Sequence, residues 1–149
     1  MTAPFADKRP ACIAPTMEAG RDFILRGIEG EIVMLNLLRL RETADYSDHP
    51  DLAPAEPISG RAAYDRYIAH TLPFLEASGG RLDLMAEGGA FLIGPPEERW
   101  DLVLLVRQKD AATFLAFEEN AAYLAGIGHR TAAIEDSRLL PLSGLRPQG

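Results

Sequence analysis

The chain predicts a single α+β domain whose elements run β-α-β-β-α-β, and three observations carry that prediction. Two long apolar runs, 31–41 and 100–108, read as strands buried on both faces. Two stretches, 60–78 and 110–124, place apolar and aromatic residues at helical spacing. Glycine pairs and proline-rich turns separate these segments, and no period of solenoid length repeats. At 149 residues the chain fits one domain, able to bury roughly 70% of its unfolded surface.

Taken in order, Pro4, Pro10 and Pro15 deny both helix and ladder to residues 1–15, which read as a loose arm. Thr16 offers an N-cap and Glu18 suits the first turn of a short helix over 17–28, which Gly30 stops. The run EIVMLNLLRLR over 31–41 is the predicted central strand. A long surface loop follows, ETADYSDHPDLAPAEPIS, with three prolines and five acidic residues. Ser59 caps the first main helix, whose stripe is Tyr64, Tyr67, Ile68, Thr71, Leu72 and Leu75. Pro73 falls late in it and predicts a bend near Ala69; Gly79-Gly80 ends it.

RLDLMAEG alternates, with Leu82, Leu84 and Ala86 on one side and Arg81, Asp83, Met85 and Glu87 on the other. Gly88-Gly89 suggests a bulge, and AFLIG reads as a continuation of the same strand beyond it. PPEER turns the chain into WDLVLLVRQ, 100–108. Asp110 caps the second main helix, with Phe114, Phe117, Ala121 and Leu124 as its buried stripe and Gly126 and Gly128 as its breakers. The last strand is expected over 132–140. This order is that of a ferredoxin-like fold, a four-stranded antiparallel sheet with its main helices on one side and an extra N-terminal helix. The domain spans 16–140, between the arm 1–15 and a tail 141–149.

Composition excludes several classes of function. A net charge of −7 argues against non-specific nucleic-acid binding, which needs a basic face to displace counterions. The one cysteine, Cys12, makes neither an internal disulfide nor a zinc cage. His49, His70 and His129 lack the close spacing that puts two ligands on one helix face, so no metal is expected. Neither GxGxxG, GxxxxGK[ST] nor GxSxG occurs, and nothing signals a cofactor. No stretch approaches the ~18 apolar residues of a membrane span, and the start has no continuous apolar core of a secretory signal. A reduced, cytoplasmic setting is the expectation.

The sheet has a further consequence. Strands 31–41 and 100–106 are apolar on both faces, yet both helices lie on one side. The other face must be covered, and a second copy of the chain is the simplest cover. A homodimer joined face to face is therefore expected. Its rival is a monomer whose arm and helix 17–28 fold over that face.

The segments VMLNLLRLR (33–41), GRAAYDRY (60–67), GGRL (79–82), WDLVLLV (100–106) and AAYLAGIGHRTAAIEDSRL (121–139) together resemble domain-of-unknown-function family 1330. That family is similar to the dimeric α/β-barrel superfamily, which includes antibiotic-biosynthesis monooxygenases. The resemblance implies a ferredoxin-like subunit that forms a barrel by pairing sheets. It also suggests a cofactor-independent enzyme acting on a small organic substrate by proton abstraction or oxygenation. A ligand-binding or stress-associated protein without catalysis, or a purely structural dimer, is the alternative.

Six residues are the candidates for a site. Asn36 sits in mid-strand, where a buried carboxamide must find partners. Arg39 leaves the same strand and Arg130 lies at the expected start of the last one; a forked guanidinium can fix a carboxylate or enolate oxygen. Tyr64 and Tyr67 lie on the helix stripe, where a hydroxyl orients a substrate oxygen or simply packs. His129 suits a general base, with Arg130 beside it favouring the neutral ring and Gly126 and Gly128 allowing close approach. In the enzyme reading Asn36 and Arg39 bind oxygen, His129 is the base and Tyr67 the orienting hydroxyl. Solvated ends, satisfied core hydroxyls and a surface imidazole are the structural readings that compete with these roles.

Overall fold

The computed structural model describes residues 11–145. Pro4 and Pro10 of the expected arm, and 146–149 of the expected tail, lie outside the described residues. The elements are α1 (Met17–Leu25), β1 (Ile32–Leu40), α2 (Gly60–Ala77), β2 (Arg81–Ala90), β3 (Arg99–Gln108), α3 (Ala111–Glu118), α4 (Ala121–Leu124), α5 (Ile127–Ala133) and β4 (Ile134–Ser143). The four strands form one antiparallel sheet in the order β2-β3-β1-β4. That is the ferredoxin-like arrangement, with α1 as an addition.

Local chemistry sets the helix ends as the residue types demand. Thr16, Ser59 and Asp110 each accept the N-terminal amide hydrogen bond, from Ala19, Ala62 and Thr113. At the end of α2, Gly79 takes a φ of +89°, open to a residue without Cβ. Its N–H then reaches Glu76 O at 3.0 Å, and Gly80 N–H reaches Leu75 O at 3.0 Å, satisfying carbonyls the helix leaves free.

The second main helix departs from expectation. It breaks at Glu119 because Asn120 recaps the chain, its Oδ1 accepting from Ala122 and Tyr123 N–H. Burial then falls on Phe117 and Tyr123, while Leu124 stays exposed. His129 and Arg130 are not at the start of a strand; they lie on α5, which runs directly into β4. Gly126 and Gly128 act there by lacking a side chain rather than by breaking the helix. A Cβ on Gly126 would overlap the His70 ring, and one on Gly128 would come within 2.7 Å of His49 and Leu52.

Cross-strand partners share a face of the sheet. Met34, Asn36 and Leu38 are opposite Val106, Leu104 and Leu102. Leu38, Leu102, Leu104, Val106, Leu82 and Met85 pack with Tyr64, Tyr67, Phe117 and Tyr123, so this is the helix side. The bulge of β2 falls at Asp83 rather than at Gly88-Gly89: the register shifts between Leu82 and Leu84. The alternation flips there, so Leu82 and Met85 share the inner face and Leu84 joins the outer one. The Asp83 carboxylate is held by Arg81 at 2.7 Å and Arg107 at 2.8 Å.

The outer face is a continuous apolar strip. Val33, Leu35 and Leu37 of β1 lie beside Leu105 and Val103 of β3 and beside Leu142 and Leu140 of β4. Leu84 and Ala86 extend it across β2. Leu84 is 45% and Leu140 52% exposed. Helix α1 does not shield this strip: Phe23 meets Phe114 of α3 edge to face at 5.8 Å, and Met17, Ile24 and Leu25 stand exposed. Among the described residues, no helix is long and apolar enough to cross a membrane.

Candidate functional site

A cluster of tyrosines between the sheet and the helices lies in the field of Arg130. Tyr64 and Tyr67 come from α2, Glu118 from α3 and Tyr123 from α4, and the Arg130 charge acts on all four. The Tyr67 and Tyr123 hydroxyls are 2.8 Å apart. The rings of Tyr64 and Tyr67 lie 5.3 Å apart, and Phe117 stacks on Tyr123 at 4.5 Å. Burial raises the pKa of all three tyrosines above the usual phenol value, so each stays protonated, and one of the Tyr67 and Tyr123 hydroxyls donates to the other. Burial also raises the Glu118 pKa, against the pull of Arg130. Glu118 is nonetheless open to solvent.

Arg130 is itself fixed by donating from Nη1 to Ile13 O at 2.7 Å. The adjacent segment is tied down as well, Cys12 N–H donating to Asp136 Oδ1 and Ser137 Oγ–H to Cys12 O. Asn36 points to the same side of the sheet by register, with its Nδ2 donating to Met34 O at 3.1 Å.

Tyr64 and Tyr67 thus pack together within the influence of the Arg130 charge, with Asn36 on the same side of the sheet. Arg39 and His129 are elsewhere. Arg39 stacks on Trp100 at 5.1 Å, as Arg138 does at 5.0 Å, with Asp136 4.0 Å from Arg39 and 2.9 Å from Arg138. Asp101, the other half of the Trp-Asp pair, accepts from Leu40 N–H at 2.8 Å and binds Arg99 at 2.6 Å.

His129 turns towards the loop between β1 and α2, where its Nδ1 lies 2.8 Å from the Tyr46 hydroxyl. Burial first, then the charges of Arg66 and His70, lower its pKa and keep the ring neutral. Tyr46 lines an open cleft of about 330 Å³ formed by Thr43, Ala44 and the 53–58 segment.

Two functional candidates were not singled out by sequence. Tyr46 carried a signal, being the one tyrosine in a long loop without Phe or Trp. Glu118 carried none, because one acidic residue among several at a helix end looks solvated. Among the described residues, no group of three or more His, Cys, Asp or Glu side chains is placed to hold a metal ion.

The chain is similar to two crystal structures of one protein. The RPA0582 protein of unknown function from Rhodopseudomonas palustris is 36% identical over 93% of this chain and all of its own, with a TM-score of 0.80. A methylated form of RPA0582 gives 35% identity over 95% of this chain and all of its own, with a TM-score of 0.81. A looser likeness, with a TM-score of 0.45 and 14% identity over 78% of this chain and 99% of the other, is to a dimeric ferredoxin-like protein of unknown function from Bacteroides fragilis. No protein-family model and no curated protein matches the chain.

Proposed function

We propose that this chain, which belongs to the family of the Rhodopseudomonas palustris RPA0582 protein, is a homodimeric small-molecule-binding protein. Its ligand is a small organic acid, held between sheet and helices. The buried tyrosine cluster supports the reading: the Tyr67 and Tyr123 hydroxyls lie 2.8 Å apart, the Tyr64 ring is 5.3 Å from that of Tyr67, and the Arg130 charge acts on all three. Arg130 supplies the charge for a ligand carboxylate, Tyr64 and Tyr67 supply apolar ring and hydroxyl, and Asn36 closes the sheet side. Glu118 takes a proton more readily than an ordinary glutamate, and in that form it donates to a bound anion instead of repelling it.

The same reading makes the outer strip the dimer interface, as in the dimeric α/β barrels that family 1330 resembles. Its support is the strip itself, apolar across all four strands and unshielded by α1. If turnover accompanies binding, the hydroxyl next to His129 is that of Tyr46, so a proton taken by His129 passes through Tyr46 and not through Tyr67.

A melting-temperature screen against small aromatic and aliphatic carboxylates tests the binding reading. A saturable rise is expected, lost in Arg130→Met and reduced in Asn36→Ala, with the circular dichroism of both variants unchanged. No rise with any carboxylate, or the same rise in Arg130→Met, contradicts it.

A further inference from the structure

Two corners of the sheet leave large apolar residues in solvent. Strand β2 ends at Ala90, which pairs with Arg99 of β3. The turn between them carries Phe91, Leu92 and Ile93; Ile93 is 91% exposed and Leu92 fully so. In the order β2-β3-β1-β4 this tip stands at the β2 edge. The second corner is the far end of the other edge strand, β4, where Leu140 and Leu145 are exposed and Leu142 is half-buried. The register puts the two at opposite ends of the strands. Ser143 of β4 sits beside Ile32, where β1 begins, whereas the tip lies past the Leu38–Leu102 pair, where β1 ends. The apolar corners are diagonal.

The other diagonal is charged. At the start of β4, Asp136 lies 2.9 Å from Arg138 and 4.0 Å from Arg39. Where β2 begins, Asp83 binds Arg81 and Arg107, and Arg107 reaches Glu31 at 3.3 Å. An apolar tip set on either corner would strip water from these ions and give nothing back. Two sheets stacked face to face by a two-fold have the axis in the plane between them. An axis along or across the strands puts each tip on a charged corner. An axis on the apolar diagonal puts tip on tip, and one on the charged diagonal puts each tip on the partner's β4 end.

Charge chooses between the last two. The turn carries Glu97 and Glu98, and Arg99 beside them is held by Asp101 at 2.6 Å. Tip against tip would crowd the glutamates of both chains. The β4 end offers a cation, since the exposed Arg26 of α1 donates from Nη1 to Pro141 O at 3.0 Å.

We propose that the β2–β3 tip clasps a second copy of this chain, Phe91, Leu92 and Ile93 packing on Leu140, Leu142 and Leu145 of the partner subunit, with Glu97 facing the partner's Arg26. The clasp rests on the paired reading given above and fixes the diagonal that relates the two sheets.

Cysteine cross-linking of the full-length chain tests it, with Cys12→Ser removing the native thiol. Leu92→Cys and Leu140→Cys fall at opposite corners of one chain, too far apart for a disulfide within it. Under mild oxidation the double variant should run at twice 16.2 kDa without reductant, and each single variant at 16.2 kDa. Leu92→Asp, at a side chain that packs on nothing within its own chain, should leave the fold intact and raise the dissociation constant of the pair about tenfold or more, from lost apolar burial. Cross-linking of Leu92→Cys by itself puts tip on tip and overturns the clasp while the pair stands. So does a dimer whose double variant never cross-links, or one that Leu92→Asp leaves as tight as before. Wild-type binding to phosphatidylcholine vesicles that Leu92→Asp abolishes, with pairing unchanged, assigns the tip to a lipid surface instead. Single chains of the wild type in sedimentation overturn pairing and clasp together, so the two readings fail distinguishably.

Discussion

Adjacent residues of one helix, His129 and Arg130, face different partners: His129 Nδ1 meets the Tyr46 hydroxyl at 2.8 Å, and Arg130 reaches Ile13 O at 2.7 Å. A residue advances about 100° around a helix per step, so neighbours look out on different surroundings. Helix α5 therefore joins two polar clusters instead of supplying two groups to one.

The Tyr46–His129 contact pins the long loop, and Tyr46→Phe should destabilise the protein by about 1 kcal/mol, the usual net value of such a bond. Urea unfolding at pH 7.5 measures it. No change in midpoint would mean the contact holds nothing.

Acid should weaken the fold through His129. Its folded pKa lies below the model-peptide value of about 6.5, so an unfolded chain takes up the proton first. Stability is then constant above the unfolded value and falls as pH drops through it towards the lower folded pKa. The carboxylates of Asp83, Asp101 and Asp136, whose pKa values are lowered, lose their contribution only further down, as pH falls below about 3.8. His129→Gln should flatten the slope between pH 6.5 and 5; an unchanged slope assigns it to other groups.

Ligand affinity at the Arg130 site should rise on acidification, because burial raises the Glu118 pKa and its protonated form accommodates an anion. Isothermal titration with a carboxylate that the melting screen identifies should show tighter binding at pH 4.5, where an ordinary glutamate is about half protonated and Glu118 more so, than at 7.5. Glu118→Gln should bind well at both values. A pH dependence that survives in Glu118→Gln would remove Glu118 from the site.

Glycines that permit close approach should be costly to replace. Gly126→Ala drives a methyl into the His70 ring and Gly128→Ala into His49 and Leu52; each should cost about 1–3 kcal/mol. Gly20→Ala in α1 meets nothing within 4 Å and should gain up to about 1 kcal/mol. Thermal unfolding of the three variants checks the order.

The strands and α2 were legible because their signals are local: apolar runs, capping residues and a glycine pair at the helix end. The register of β2 was not, since a bulge at Asp83 reverses the alternation without altering composition. Asn120, preceded by two acidic residues, hid the recapping of α4, and the glycines before His129 read as breakers although they serve packing. The inward face of Tyr64 and Tyr67 was legible because the helical stripe marks it, and both are buried. Whether His129 and Arg39 join them depends on helix rotation and strand face, and neither follows from residue type.

The apolar strip of Leu35, Leu37, Val103, Leu105 and Leu140 on the outer face is the feature on which the proposed pairing of two chains rests. Sedimentation velocity of the purified chain at micromolar concentration tests it most directly. The expected species has twice the 16.2 kDa of one chain, and Leu105→Asp should convert it to single chains with loss of stability. A wild-type protein that sediments as a compact single chain down the same dilution series would contradict the account.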